Sequence, residues 1–504
     1  MSAPLPLDIN RIDPAAAWHP WQPEGNEWFR RWAAHLFRRA GFGASTDDLE
    51  RSVKEGFAAT LDRVLRGSSE TAKREEMLAD LGEELARDDD PAKLRSWWLY
   101  AMLHSGHPLR EKLTLFWHNH FATSISKVQS PQLMFRQNKT LRKHALAKFR
   151  PFLLDMSHDV ALLLYLDSNQ NVKAHPNENF AREVMELFSL GVGNYTEKDV
   201  QEAARAFTGW HTDDEKKKFL FHAEEHDDGS KTVLDKTGKW NGDDILRIIL
   251  DRPAAARFLV SKLYRDFVSE TDPPKDLLEP LADRFRKSDY DITDIIKVIL
   301  SSRLFFSEHA YLKRIKSPIE FALGSAKAAW AGPAVPTLLE GELAAMGQTL
   351  FAPPNVKGWP GGKVWLNNAT LLARNNFAEW VAIRGGTPLQ VLPQVSSRAS
   401  LPNDMFEVAQ APQPQVLQPI IPGGDPEPME AFDSSQYARK RKAMTPKEII
   451  ACLAQQFFPG GISVRTASKL EAFVADGNPK DKELNRRIRE AAHAMMCMPE
   501  YQLC

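Results

Sequence analysis

Up to about residue 384 the apolar residues recur at intervals of three and four, in runs cut by Pro, Gly and Asn, and almost nowhere do they alternate. A repeat near 3.6 residues gives a helix one continuous oily stripe, whereas a half-buried strand needs a repeat of two. A chain so patterned buries its apolar groups by laying helix against helix, so the expected fold is mainly α, a multi-helical bundle. One stretch breaks the pattern. In KKFLFHAEEHDDGSKTVLD, residues 217–235, two short β-prone runs flank the polar turn EEHDDGS, which predicts a small β-hairpin insertion.

The length of 504 residues exceeds what one hydrophobic core usually organises, so more than one lobe is expected. Residues 388–428 hold nine prolines among Gln, Ser, Gly and Val, a composition that packs no regular element. The chain then divides into an N-terminal extension (1–32), a main helical domain (33–384), a Pro-rich linker or wrapping loop (385–444) and a C-terminal helical unit (445–504). The last opens on Thr445 as a cap with Pro446 in the first turn.

Lys and Arg number 65 against 66 Asp and Glu, a net charge of -1, so no long-range field draws nucleic acid or an anionic membrane. The cysteines Cys452, Cys497 and Cys504 form no C-x-x-C pair, which argues against a disulfide scaffold or a thiolate zinc site. No run reaches ~18 uninterrupted apolar residues, so no membrane span is expected. The N-terminus lacks a basic segment followed by an apolar one, and the default expectation is cytoplasmic.

Chemistry concentrates in two helical segments. In HPLREKLTLFWHNHF, a helix opened by Pro108, Leu109, Leu113, Phe116 and His120 share one face and His118 falls on the opposite one, so the two histidines do not chelate one ion. In HPNENFAREVMELFSLGVGNYTEKDV, Asn177 or Asn179 caps a helix with the stripe Phe180, Val184, Leu187 and Phe188, stopped by Gly191. Glu183 and Glu186 lie three apart at the margin of that stripe. Two such carboxylates repel each other and resist burial, so a positive group is expected between them: Arg182, Arg205, a protonated histidine or a metal ion.

The sharper expectation is that His120 meets Glu183 and Glu186 across a helix pair as a carboxylate-histidine site for iron, manganese or zinc. His118, His226 and Asp227 are further candidate ligands, although Asp227 in EEHDDGS also reads as a plain turn residue. Thr196 and Asp199 form a capping-box pattern for the next helix, which carries Arg205. His211 and His222 show no spacing logic and are assigned nothing. HLFRRAGFGAS places Arg38 and Arg39 at a helix end as a possible anion grip, and FAPPNVKGWPGGKVWLNN holds Trp359 and Trp365 either as a seam plug or as a binding surface.

Taken in order, HLFRRAGFG, HPLREKLTLFWHNHFATS, NENFAREVMELFSLGVGNYTEKDV, ARAFTGW, HDDGSKTVL and PPNVKGWPGGKVW resemble the bacterial family called domain of unknown function 1800, from about Ala33 to the closing MPEYQL. The resemblance implies a largely helical protein without a settled activity. Its motif positions include His118, His120, Glu178, Arg182, Glu183, Glu186, His226 and Asp227. It also implies a possible partner in the sulfatase- and phosphatase-like family 1501, whose genes often lie alongside. Many members are exported, and this N-terminus departs from that. The resulting expectation is a metal-dependent enzyme, oxidoreductase or hydrolase, with His120, Glu183 and Glu186 as ligands and Arg182 or Arg205 orienting the carboxylates. The competing expectation is a non-catalytic assembly protein that docks the family 1501 partner through the Trp loop.

Overall fold

The computed structural model describes residues 7–23, 28–68, 71–213, 217–329, 336–383 and 433–504. The expected linker lies outside the described residues as far as residue 432, and beyond it the helix Ser434–Lys440 begins. The chain is mainly α-helical, with two small two-stranded antiparallel sheets among the described residues. Local chemistry explains many helix starts. Asp90, Ser130 and Thr445 each accept a backbone N–H of the first turn while proline occupies that turn. Thr196 with Asp199 closes a full capping box, and Asn177 caps the helix Glu178–Glu183. No helix among the described residues is long and apolar enough to cross a membrane.

Buried side chains fall into two cores. The first gathers Trp18, Trp32 and Phe37 from the N-terminal region with Phe121, Phe149, Phe188, Phe207 and the helices between residues 242 and 301. The second joins Trp97, Trp98, Phe135 and Phe351 to Phe321, Phe377, Ile450, Leu453 and Met495. The C-terminal helices are built into this second core, with Asp481–Cys497 packed on Asn368–Ala382.

The helix Pro108–His120 runs along the seam between the cores, which is why His118 and His120 are 0% and 3% exposed although they point in different directions. Helix geometry places His118 away from the apolar face. That direction is right, but a second apolar region lies there.

The segment after Glu183 departs from the expected α-helix. Val184–Ser189 is a π-helix, in which the Leu190 N–H reaches back five residues to the Met185 carbonyl at 2.9 Å and the Ser189 hydroxyl donates to the Val184 carbonyl at 2.5 Å. Gly191 ends it at φ +79, where a Cβ would stand 2.7 Å from the Phe258 ring.

The β structure also pairs differently from the expected hairpin. The two runs flanking EEHDDGS do not pair with each other. Strand β1 (Trp210–Asp213) pairs with β2 (Lys218–Phe221), and β3 (Lys231–Val233) pairs with β4 (Lys236–Gly238). Leu234 and Asp235, at φ +49 and +64, make a tight turn of their own between β3 and β4. That local turn and the anchoring of β1 by buried Trp210 decide the pairing.

Candidate metal centre

The FWHNHF stretch distributes its three polar residues over three separate tasks. The His120 Nε2 lies 3.0 Å from the Phe188 carbonyl oxygen, and its Nδ1 lies 3.0 Å from the Lys262 ammonium nitrogen. A carbonyl only accepts, so Nε2 carries the proton and Nδ1 accepts from Lys262. Lys262 also donates to the Leu187 carbonyl at 3.1 Å. The carbonyls of Leu187 and Phe188 close the π-helix, where helical partners have run out, and the two basic side chains satisfy them. Burial, and then Arg265, pushes the Lys262 amine down to about 7, while burial and Lys262 hold His120 well below the usual imidazole value.

Asn119 accepts the Trp359 backbone N–H at 2.6 Å and leaves no room at Gly358, where a Cβ would lie 2.2 Å from the Asn119 side-chain oxygen. His118 sits among Trp98, Phe351 and Trp359, with ring centroids 5.3, 5.6 and 5.7 Å away. Neither of its nitrogens has a hydrogen-bond partner, and burial holds its pKa at about 3. Trp359 and Trp365 are 6% and 5% exposed, so they plug the second core and present no surface.

The expected joining of His120 with Glu183 and Glu186 is not what the structure shows. Among the described residues these three form no cluster of ligand atoms, and both nitrogens of His120 are engaged elsewhere. Glu183 is half-buried. Its carboxyl is raised by burial and by Glu186, against which Lys357 and Arg182 act through space. Glu186 accepts from the Tyr195 hydroxyl at 3.1 Å.

Neither arginine orients this pair. Arg182 bridges Glu178 and Glu197 at 2.9 and 2.7 Å. Arg205 grips Asp227 at 2.7 Å and Glu202 at 3.0 Å. Asp227 also accepts the Gly229 N–H at 2.8 Å, the bond of an Asp-closed turn. His226 is buried and donates to the Thr208 carbonyl at 2.9 Å. The expected ligands His118, His120, His226 and Asp227 thus serve packing, helix termination and turn closure. The physical reason is that the structure offers each a backbone or guanidinium partner, or a cage of aromatic rings.

A different cluster does form, on residues the sequence left unassigned. His211, His222 and Glu225 bring one possible ligand atom each within 4.8 Å of the others, the one such group among the described residues. The strand register builds it. His211 faces Leu220 across the ladder, and the His222 N–H donates to the Gly209 carbonyl at 2.8 Å, so His211 and His222 are diagonal neighbours on one face of the hairpin.

Gly209, at φ +83, permits this approach, since a Cβ there would stand 2.6 Å from the His222 carbonyl oxygen. The imidazoles stack at 4.5 Å with 19° between their planes. A single 3₁₀ turn, Ala223–Glu225, then folds Glu225 back, and the Lys173 N–H holds it by its carbonyl at 2.8 Å.

The buried His211 Nε2 and a Glu225 carboxylate oxygen are in ion-pair contact, and neither atom makes a hydrogen bond to any other group. A proton on the imidazole nitrogen or a metal ion beside the pair would each supply the positive charge that a half-enclosed carboxylate calls for. Ligands about 2.1 Å from a tetrahedral zinc stand ~3.4 Å apart, so His211 and Glu225 would have to part from their direct contact to admit an ion. The histidines lie eleven positions apart in sequence. Only the register unites them, and that register depends on a strand partner that no local sequence signal identifies.

No curated protein and no solved structure matches the chain. Over residues 35–503, nearly its whole length, the sequence matches the family model described as Protein of unknown function (DUF1800), and the chain belongs to that family.

Proposed function

We propose that the protein is a metal-dependent enzyme whose divalent ion is held by His211, His222 and Glu225. The observation that carries this reading is the convergence of one ligand atom each from His211, His222 and Glu225 within 4.8 Å of one another, with the two imidazoles stacked. Two imidazoles and a carboxylate are a donor set that suits zinc, with iron(II) or manganese as the other fits. Three protein ligands leave a position for water or substrate, and an ion so held acts as a Lewis acid, which favours hydrolysis over redox chemistry. Glu225 and His222 are partly exposed, so a substrate reaches the site from solvent without any part of the core opening.

Elemental analysis of untagged protein, purified without chelator, tests this. The expected result is about one zinc, iron or manganese per chain, lost in His211→Ala and His222→Ala and kept in Glu183→Gln and His120→Gln. A metal-free protein that also takes up none of the three ions in calorimetric titration would leave His211 and Glu225 as an ordinary ion pair closing a hairpin. So would metal content unchanged in His211→Ala.

A further inference from the structure

The end of the helix Arg30–Arg39 enters a buried field of positive charge. Arg39 is fully buried and donates to the carbonyls of Val268 and Ala310 at 3.1 and 2.6 Å. Arg314 and Lys112 converge on Glu320, and Arg314 also faces Asp266 at 3.6 Å. Arg374 donates to the Lys316 carbonyl and to Gln502. Lys316, 7% exposed, donates to the Tyr501 carbonyl at 2.6 Å and lies 3.9 Å from the Tyr501 ring centroid. Cys504 adds negative charge felt by Arg39, Arg314 and Lys316.

Arg38 stands apart in this group. Its Nε and one terminal nitrogen are buried without any hydrogen-bond partner, and no carboxylate among the described residues pairs with it. Its aromatic neighbour is the Tyr311 ring, 6.0 Å away. Burial, and then Arg38, pushes Lys316 down to about 7, against the opposing pull of Cys504 and Glu320.

Both side chains line a cavity of about 110 Å³ walled by Tyr311, Phe457 and Tyr501, and both also line a smaller one of about 50 Å³ beside it. Glu500 on the rim is exposed and pairs with neither cation. At ~30 Å³ per water, the larger cavity holds roughly four waters, enough for a phosphate ion or a short carboxylic acid and too little for a nucleotide.

We propose that this cavity binds a small oxyanion, phosphate or the carboxylate of a short acid, held by the free edge of the Arg38 guanidinium with Lys316 as the second cation. A guanidinium edge matches two oxygens of such an anion, and an enclosed position makes each charge-assisted bond strong. The site shares no residue with the metal centre and stands whether or not that centre holds an ion.

The test compares thermal unfolding and calorimetric titration with sodium phosphate, sodium acetate, and sodium chloride at matched ionic strength. Saturable stabilisation by phosphate or by acetate, beyond that of chloride, is expected, and which of the two acts identifies the source. Arg38→Gln is expected to unfold no earlier than the natural chain in chloride and to lose at least about tenfold in anion affinity. Arg38→Lys, which keeps the charge but not the fork, is expected to fall between them and carries the comparison if the glutamine variant fails to fold. The proposal is overturned if neither anion outdoes chloride, or if the folded Arg38 variants bind as tightly as the natural chain.

Discussion

Lowering the pH toward about 5 should unfold this protein, and a single substitution should account for a calculable share of the effect. His35, His118 and His120 are 0%, 0% and 3% exposed. Burial holds all three below the usual imidazole value of 6.5, His118 at about 3 and the other two well below it. In the fold they stay neutral, whereas in the unfolded chain each takes up a proton below about 6.5. The unfolded state therefore binds more protons as the pH falls, and stability that is intact above 6.5 is lost progressively below it.

At about pH 5, some 1.5 units below the ordinary value, each imidazole costs about 2 kcal/mol and the three together about 6 kcal/mol. His104 and His107, each held down to about 4, act in the same direction. Asp159 opposes them, because burial lifts its carboxyl to about 6 and its protonation favours the fold by roughly 1 kcal/mol at that pH. The net loss is comparable to the ~5–15 kcal/mol that holds a typical domain together.

The discriminating variant is His118→Phe. Both His118 nitrogens lack partners and the ring is already caged by aromatic groups, so phenylalanine forfeits no hydrogen bond. Urea unfolding at about pH 8 should place the variant within about 1 kcal/mol of the natural chain, allowing for slight overpacking. By about pH 5 the variant should be ahead by a further ~2 kcal/mol. A difference that stays constant from pH 8 to pH 5 would show that His118 is not held neutral, and the reasoning from burial would fail.

Two further perturbations act on the same contacts. Gly358→Ala places a Cβ 2.2 Å from the Asn119 side-chain oxygen and 2.5 Å from its carbonyl at φ +80, so strain of about 1–2 kcal/mol adds to overpacking of about 1–3 kcal/mol. At ~2.1 cal/mol/K per residue, a chain of this length unfolding as one unit should show a melting temperature lower by about 2–5 °C, and an unchanged one would refute the clasp. Lys262→Met leaves the His120 Nδ1 and the Leu187 carbonyl unpaired, a loss of about 1–3 kcal/mol for each. Because Lys262 sits at about 7 in the fold against an ordinary 10.5, the natural chain should gain stability as the pH rises through that window, and the variant should gain less by one proton's slope. Equal slopes in urea titrations between pH 7 and 10 would contradict a buried neutral amine.

What the sequence revealed tracks the range of the interaction responsible. The caps at Asn177, Thr196 and Thr445, the inward turn of His120 and the stop at Gly191 depend on residues within a few positions, and all stand in the structure. The partner of Lys218–Phe221 lies upstream in Trp210–Asp213, and no local signal separated that pairing from one across EEHDDGS. Missing the pairing hid the His211, His222 and Glu225 cluster, since its members meet only through the register. The placing of Glu183 and Glu186 assumed an unbroken helix of 3.6 residues per turn, and the π-helix that begins at Val184 invalidates that wheel. One lysine on an amphipathic helix looks solvated from sequence, and Lys262 reveals its role only through the carbonyl it reaches.

The wide turn at Val184–Ser189 differs from an ordinary one by a single residue. Inserting one further residue there would exceed what the wide turn absorbs and swivel the chain on its N-terminal side by about 100° relative to the chain beyond Gly191. Leu187 and Phe188 could then no longer offer their carbonyls to Lys262 and His120 while Phe180 stayed in the core. The segment works as an azimuthal shim, and insertions should be far less tolerated within it than in the loop just past Gly191.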